Sequence, residues 1–257
     1  MTIDPRAVVD PSAKIASNVG IGPFSVIGPN VEIGEDTEIG PHVVINGPTR
    51  IGRENRIFQF SSIGEIPQDK KFHGEESRLE IGDRNTIREF VTINRGTADG
   101  GEVTRIGNDN WLMAYIHIAH DCCVGDHTIF ANGASIAGHV SIGDYAILGG
   151  FTLVHQFCTV GEHAFCGMGS AISKDVPPYI MVNGNPAHPH GLNSEGLKRH
   201  GFSAEALKIL RDAYKTIYRS GMTVEEALVK LEVMSVSQPE VLPLTRFLKQ
   251  SQRGILR

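Results

Sequence analysis

The sequence predicts a mainly β solenoid, a parallel β-helix followed by a small C-terminal α-helical domain. Three observations carry that prediction: an aliphatic side chain recurs every six residues, glycine is frequent just after it, and helical spacing replaces the repeat beyond residue 192. The series runs Val9, Ile15, Ile21, Ile27, Ile33, Ile39, Ile45, Ile51, Ile57, Ile63 without a miss. It returns in phase at Ile81, Ile87 and Ile93, then shifts by one residue across the polar stretch from Gly96 to Thr104. A second run follows: Ile106, Leu112, Ile118, Val124, Phe130, Ile136, Ile142, Leu148, Val154, Val160, Cys166, Ile172. Of these 25 positions, 24 hold conventional apolar side chains. Six is neither a helix period nor a hairpin spacing, and β-branched residues at the repeated position favour short strands joined by turns. If each hexapeptide is one flat side of a three-sided coil, residues 18 apart stack at the ~4.8 Å strand spacing and the aliphatic columns fill the interior. Glycine follows the aliphatic residue in 13 of the 25 hexapeptides, marking a turn region where a missing Cβ relieves crowding or permits positive φ.

The solenoid is expected over residues 1–183, interrupted at 65–80 and 96–104. The first interruption places Asp69 and Glu75 where apolar residues belong, so it must leave the prism as a loop, and a charged loop extruded from a regular solenoid is a functional candidate. Residues 184–191, from Gly184-Asn185-Pro186 through His190-Gly191, read as a connector. The helical domain spans 192–257. Ser203 opens a helix with Leu207, Leu210, Tyr214 and Ile217 on one face, ended by Gly221. Thr223 and Glu226 form a capping-box pattern before a second helix, a last helix covers Pro243 to Gln250, and the domain caps the open end of the solenoid.

Composition excludes several classes. The 29 glycines among 257 residues show no collagen period, and no apolar run approaches the ~18 residues of a membrane span. The start, Met1 to Arg6, lacks the regions of a secretory leader, so a cytoplasmic location is expected. Cys122, Cys123, Cys158 and Cys166 show no metal-binding spacing and read as reduced thiols. Residues 1–191 carry 13 basic against 22 acidic side chains, and residues 192–257 carry 11 against 7. An acidic partner should therefore prefer the tail, and no nucleic-acid footprint is present.

Four of eleven histidines, His117, His120, His139 and His155, fall within 39 residues of the second run. Adding 18 to His120 gives Gly138, and adding 18 to Asp121 gives His139. The next coil thus places a bare backbone above His120 and an imidazole above Asp121, with the four histidines in one or two adjoining columns. An imidazole can take a proton from a hydroxyl, a carboxylate can orient it, and an unobstructed N–H can stabilise an oxyanion, which are the parts of acyl transfer. Consecutive strand residues point oppositely, which argues against a His120–Asp121 contact unless a turn intervenes. His127 and His163 read as solvated turn residues.

The hexapeptide pattern resembles the left-handed parallel β-helix of bacterial acyltransferases, whose members are usually trimeric. The handedness and the expected homotrimer come from that resemblance. A flat-sided prism has no deep pocket of its own, which also favours a site between copies. The strings Ile118-Ala119-His120-Asp121-Cys122, Ala137-Gly138-His139-Val140, Val154-His155-Gln156-Phe157 and Glu195-Gly196-Leu197-Lys198-Arg199 are similar to the acyl-carrier-protein–UDP-N-acetylglucosamine O-acyltransferase family, which begins lipid A synthesis. The resemblance covers essentially the whole chain. It implies that His120 is the general base for the 3-hydroxyl of UDP-N-acetylglucosamine, attacking a β-hydroxyacyl thioester on acyl carrier protein. It also implies that the Gly138 N–H stabilises the oxyanion and that Asp121 orients the base. Substrate contacts fall to Gln68, Asp69 and Lys71 in the loop, to His117, His139, His155 and Gln156, and to Asn193, Glu195 and Arg199 in the basic tail. Lys198, Lys208, Arg211, Lys215 and Arg219 are candidates for docking the carrier protein. No cofactor or metal is called for. His200 departs from the pattern, standing where relatives commonly carry a second Arg.

Met168 stands at the family's hydrocarbon ruler. It lies 48 residues beyond His120, which is roughly 13 Å along the axis at ~4.8 Å per coil, enough for about ten carbons and hence a β-hydroxydecanoyl donor. Two other readings stay open: an acetyl-CoA-dependent sugar acetyltransferase, and a zinc enzyme of the carbonic anhydrase kind using His117, His120 and His139.

Overall fold

The computed structural model describes residues 2–257. Its strands are mostly two residues long and fall into three sheets, each built from every third strand in chain order through Ala171–Ile172, after which the first sheet gains two more strands. The first sheet begins with Thr2–Ile3, the second with Val8–Val9 and the third with Lys14–Ile15. Pairing between neighbouring coils is parallel, with Ile21 opposite Ile39 and Ile39 opposite Ile57 in the first sheet. This is the left-handed parallel β-helix expected, a three-sided prism with the repeated aliphatic residues inside. From Ile21 to Ile172 every residue of the series is buried, and only Val9 and Ile15 at the open end are partly exposed.

The corners show how a chain of L-residues turns so sharply. In most coils the residue three positions after the aliphatic one adopts left-handed φ, and it is seldom glycine: Phe24, His42, Phe60, Phe90 and Tyr115 at the corner joining the first and second sheets, for example. Each such residue costs roughly 1–2 kcal/mol. Vertical stacking offsets much of this, because the five rings lie 4.9–5.4 Å apart and stacked aromatic pairs contribute about 0.5–1.5 kcal/mol each. The glycines that follow the aliphatic position serve the other expected purpose, relief of crowding. A Cβ on Gly34 would fall 2.6 Å from the Gly52 carbonyl carbon, and one on Gly22 would fall 2.7 Å from the Pro41 nitrogen. Only Gly64 in that set has positive φ.

Both interruptions leave the prism at one corner, that between the second and third sheets. In the first sheet Ile39 lies opposite Ile57, Ile57 opposite Ile87 and Ile87 opposite Leu112, so the two coils that carry inserts are longer than the regular coil before them, yet all three stay in register. The loops are shorter than 65–80 and 96–104. Ser62–Glu65 and Arg78–Ile81 are strands, leaving 66–77, while Thr92–Asn94 and Val103–Ile106 are strands, leaving 95–102 with a 3-10 turn at Ala98–Gly100. The alternation in Arg78-Leu79-Glu80-Ile81 keeps that segment in the sheet. Across the inserts, register is held from inside by a buried polar ladder near the opposite corner. Asn85 Nδ2 donates to Asn55 Oδ1 (3.0 Å) and the Gly107 carbonyl (2.9 Å), its Oδ1 accepts from Asn110 N (2.9 Å), and Thr128 Oγ1 donates to Asn110 Oδ1 (2.6 Å).

The connector is also more ordered than expected. His188–Leu192 runs antiparallel to Ile180–Asn183 and closes the first sheet, so only its beginning is loop. The tail contains α1 (Ser194–Arg199), which helical spacing alone did not reveal because it has under two turns, then α2 (Ala204–Tyr218), α3 (Val224–Ser237) and α4 (Leu242–Gln250). Ser203 caps α2, and the Thr223–Glu226 capping box is present. The tail then returns to the solenoid: Ile255 bridges Asp175, and Leu256 and Tyr214 join the solenoid core.

Candidate active site

The corner from which both loops emerge is where the chemistry gathers. His120 and Asp121 form a turn after the second-sheet strand His117–Ile118, and Asp121 takes the left-handed corner conformation at φ 59°. That conformation removes the alternation of an extended strand. The two side chains converge, with His120 Nδ1 2.7 Å from Asp121 Oδ2. The Asp121 side chain has no solvent exposure, and that of His120 retains 14%. Burial alone would raise the Asp121 carboxyl, but hydrogen bonds from His120 and from the hydroxyl and backbone N–H of Thr97 outweigh it and hold it below its ordinary value.

One coil up, Gly138 lies directly over the imidazole: a Cβ there would fall 2.5 Å from His120 Cε1. Among the described residues the Gly138 N–H has no acceptor, while its carbonyl accepts from Phe157 N. His139 occupies the corner position above Asp121, with Nε2 3.8 Å from Oδ2 and its ring edge-on to His120 at 5.1 Å. Burial lowers the His139 pKa, with Asp121, Asp69 and Asp99 opposing. His117 faces outward from the second sheet with Nδ1 2.8 Å from Thr92 Oγ1, and burial followed by the nearby His120 lowers its pKa. Gln156 continues the column of His120 and Gly138, and His155 beside it is exposed, with Nδ1 3.1 Å from the Gln156 carbonyl. The four histidines therefore occupy four separate columns, since they fall on four different positions of the hexapeptide, rather than one or two.

Of the loop residues, Gln68 and Lys71 are exposed, and Asp69 shapes the loop by accepting from Lys71 N at 3.0 Å. His120, Asp121 and His139 bring one ligand atom each within 4.8 Å of one another. This is not the three-nitrogen set of the zinc alternative, because His117 is bonded elsewhere and His120 Nδ1 and Asp121 are committed to each other.

A family model described as UDP N-acetylglucosamine O-acyltransferase, domain 2, matches residues 175–256, and one for bacterial transferase hexapeptides matches 12–47 and 104–138. The acyl-[acyl-carrier-protein]–UDP-N-acetylglucosamine O-acyltransferase of Thiobacillus denitrificans is 62% identical over 256 residues, covering 100% of this chain and 99% of its own. The chain belongs to the UDP-N-acetylglucosamine O-acyltransferase family. Solved structures of such acyltransferases agree throughout. That from Moraxella catarrhalis is 47% identical with a TM-score of 0.99 over 100% of both chains, and that from Francisella novicida is 47% identical with a TM-score of 0.98 over 100% of this chain and 94% of the other.

Within one copy of this acyltransferase, four expected site residues lie away from His120. Met168 has the same hexapeptide position as His120 but stands at the corner between the first and second sheets, above Gly150 and 77% exposed. Counting along the axis alone omitted this change of side. Asn193, Glu195 and Arg199 lie at or in α1, which is tied to the third corner: Asn193 Nδ2 donates to the His163 carbonyl (3.0 Å) while its Oδ1 caps α1 through Gly196 N. Glu195 pairs with Lys198 at 2.7 Å. Residues that sequence reasoning missed are Thr97 and Thr104, which donate to Asp121 and accept from it respectively. The one-residue phase shift and the polar insert were the available signals.

His163 is not the solvated residue expected. It is stacked on Tyr145 and edge-on to His200 and Phe202, and burial followed by the charge of His200 brings its pKa down to about 4. Between that value and its unfolded value near 6.5 the unfolded chain binds a proton that the folded chain refuses, so stability falls as pH drops through this window. His163→Phe keeps an aromatic stack and removes the titration. Thermal midpoints of the variant should lose less than wild type between pH 6.5 and 4; coincident profiles would contradict this assignment.

Proposed function

We infer that this chain is an acyl-carrier-protein-dependent UDP-N-acetylglucosamine O-acyltransferase of lipid A biosynthesis, moving a β-hydroxyacyl chain to the 3-hydroxyl of the sugar. The observation that carries the mechanism is the His120–Asp121 pair lying under the unpartnered Gly138 N–H. Ionised Asp121 accepts from Nδ1–H and so assigns the lone pair to Nε2 of His120. That nitrogen takes the hydroxyl proton as the oxygen attacks the thioester carbonyl. The oxyanion of the tetrahedral intermediate receives the Gly138 N–H. Collapse breaks the C–S bond, and the proton on Nε2 passes to the departing thiolate of the carrier.

The remaining contacts are supplied between copies. The first corner exposes Phe24, Phe60, Phe90, Tyr115 and Phe151, beside the outward-facing Val8, Val26, Val44 and Leu153 of the second sheet. So continuous an apolar surface fits burial against identical chains, and a homotrimer with three equivalent sites satisfies it. In that arrangement Met168 of one copy limits the acyl groove beside His120 of another, and Asn193, Glu195 and Arg199 meet the nucleotide there. Gln68, Asp69 and Lys71 approach the sugar from the overhanging loop, with His117, His139, His155 and Gln156 on the floor. Lys198, Lys208, Arg211, Lys215 and Arg219 would meet the acidic carrier, in the cytoplasm.

His120→Ala should lower turnover of UDP-N-acetylglucosamine with β-hydroxyacyl carrier protein by at least about a hundredfold, the usual share of a general base; robust activity in the variant would overturn the mechanism. Supplying the acyl group on coenzyme A instead separates this reading from a sugar acetyltransferase. Met168→Gly should shift preference from a ten-carbon donor toward longer chains, and an unchanged preference would remove Met168 from the groove.

A further inference from the structure

The 95–102 insert is left without a task by the reaction just described, yet it makes the most elaborate contact in the site. Thr97 donates its backbone N–H to Asp121 Oδ1 at 2.8 Å and its hydroxyl to Oδ2 at 2.7 Å. Oδ2 is the oxygen that holds His120 Nδ1. The Thr97 carbonyl meanwhile accepts from Gly100 N (3.2 Å) and Glu102 N (2.8 Å), so the insert closes upon the residue that grips the carboxylate. Gly100 completes the enclosure: a Cβ there would fall 2.0 Å from Asp121 Cγ. From below, the Asp121 backbone N–H donates to Thr104 Oγ1 at 2.8 Å, fixing the turn. The first loop reaches the second through Glu75, which accepts from Ala98 N at 3.5 Å, and through Phe72, which lies 5.8 Å from the Arg95 guanidinium.

We propose that Thr97 is a positioning residue for acyl transfer, its two donors holding the buried Asp121 carboxylate aimed at His120 Nδ1, with Gly100 packed against that carboxylate and excluding water from it. The proposal rests on the reading of His120 as general base. A buried carboxylate with a single partner would be protonated or would rotate; three donors leave it one orientation. The other titratable groups around His120 are His117 on its own coil, His139 above, and Asp69 and Asp99 from the loops, whose charges act on His139. Thr97 bears no charge. Its effect therefore passes through Asp121 alone.

Thr97→Val keeps the shape and the backbone donor and removes only the hydroxyl. It should lower kcat roughly tenfold, as expected for loss of one hydrogen bond to a charged group, with KM for both substrates within about twofold. Stripped of that donor, Oδ2 binds the His120 Nδ1–H more strongly, so the acid limb of kcat/KM should move to higher pH and the Nδ1–H proton resonance of substrate-free protein should move downfield. Thr97→Ser restores the hydroxyl and should return both to wild type. A Thr97→Val profile that superimposes on wild type, or a serine variant that fails to restore it, overturns the proposal. Robust activity of His120→Ala would overturn the general-base reading separately, and the substrate-free Nδ1–H resonance reports the Thr97–Asp121–His120 coupling in either event.

Discussion

A three-sided coil of L-residues can close on itself only if each corner turns sharply, and the left-handed backbone of the corner residue provides that turn. Placing aromatic rings, histidines or hydrogen-bonding groups there makes the unfavourable conformation tolerable through contacts with the coils above and below. Vertical register follows from this. The arrangement of His120 under Gly138 and of Asp121 under His139 is thus a consequence of how the solenoid turns, and the same backbone twist lets adjacent His120 and Asp121 side chains face each other.

Register also explains where the loops are. Additional residues can leave the prism only where the remaining corners still hold the coils in step, and the Asn55–Asn85–Asn110–Thr128 ladder provides that hold while both inserts depart from the far corner. Because both leave at the His120 corner, they build walls around a surface that would otherwise be open. Asp121 becomes fully enclosed, which a bare prism could not achieve.

Much of this was legible in the sequence because period and stacking are one-dimensional. The regular offset between coils placed Gly138 over His120 without coordinates, and the capping residues Ser203 and Thr223 marked two helices at their true starts. What was not legible depends on which side of the prism a residue occupies. Met168 and His120 share a hexapeptide position but stand at different corners, a distinction that axial counting loses. Thr97 was hidden because its contact with Asp121 runs through an insert that has no period, and His163 because Gly-Glu-His reads as a turn while its ring is covered by Tyr145, His200 and Phe202.

The residues proposed for the site stand at three different corners of one chain, and the proposed function therefore requires that a complete site be shared between copies. Co-expression of His120→Ala with Arg199→Ala, each strongly impaired alone, tests it directly. If His120 and Arg199 act in the same site from neighbouring chains, random mixing leaves about one site in four with both residues intact, and the mixture should recover about a quarter of wild-type activity. A mixture no more active than its components would show that each chain builds its site alone and would contradict the account.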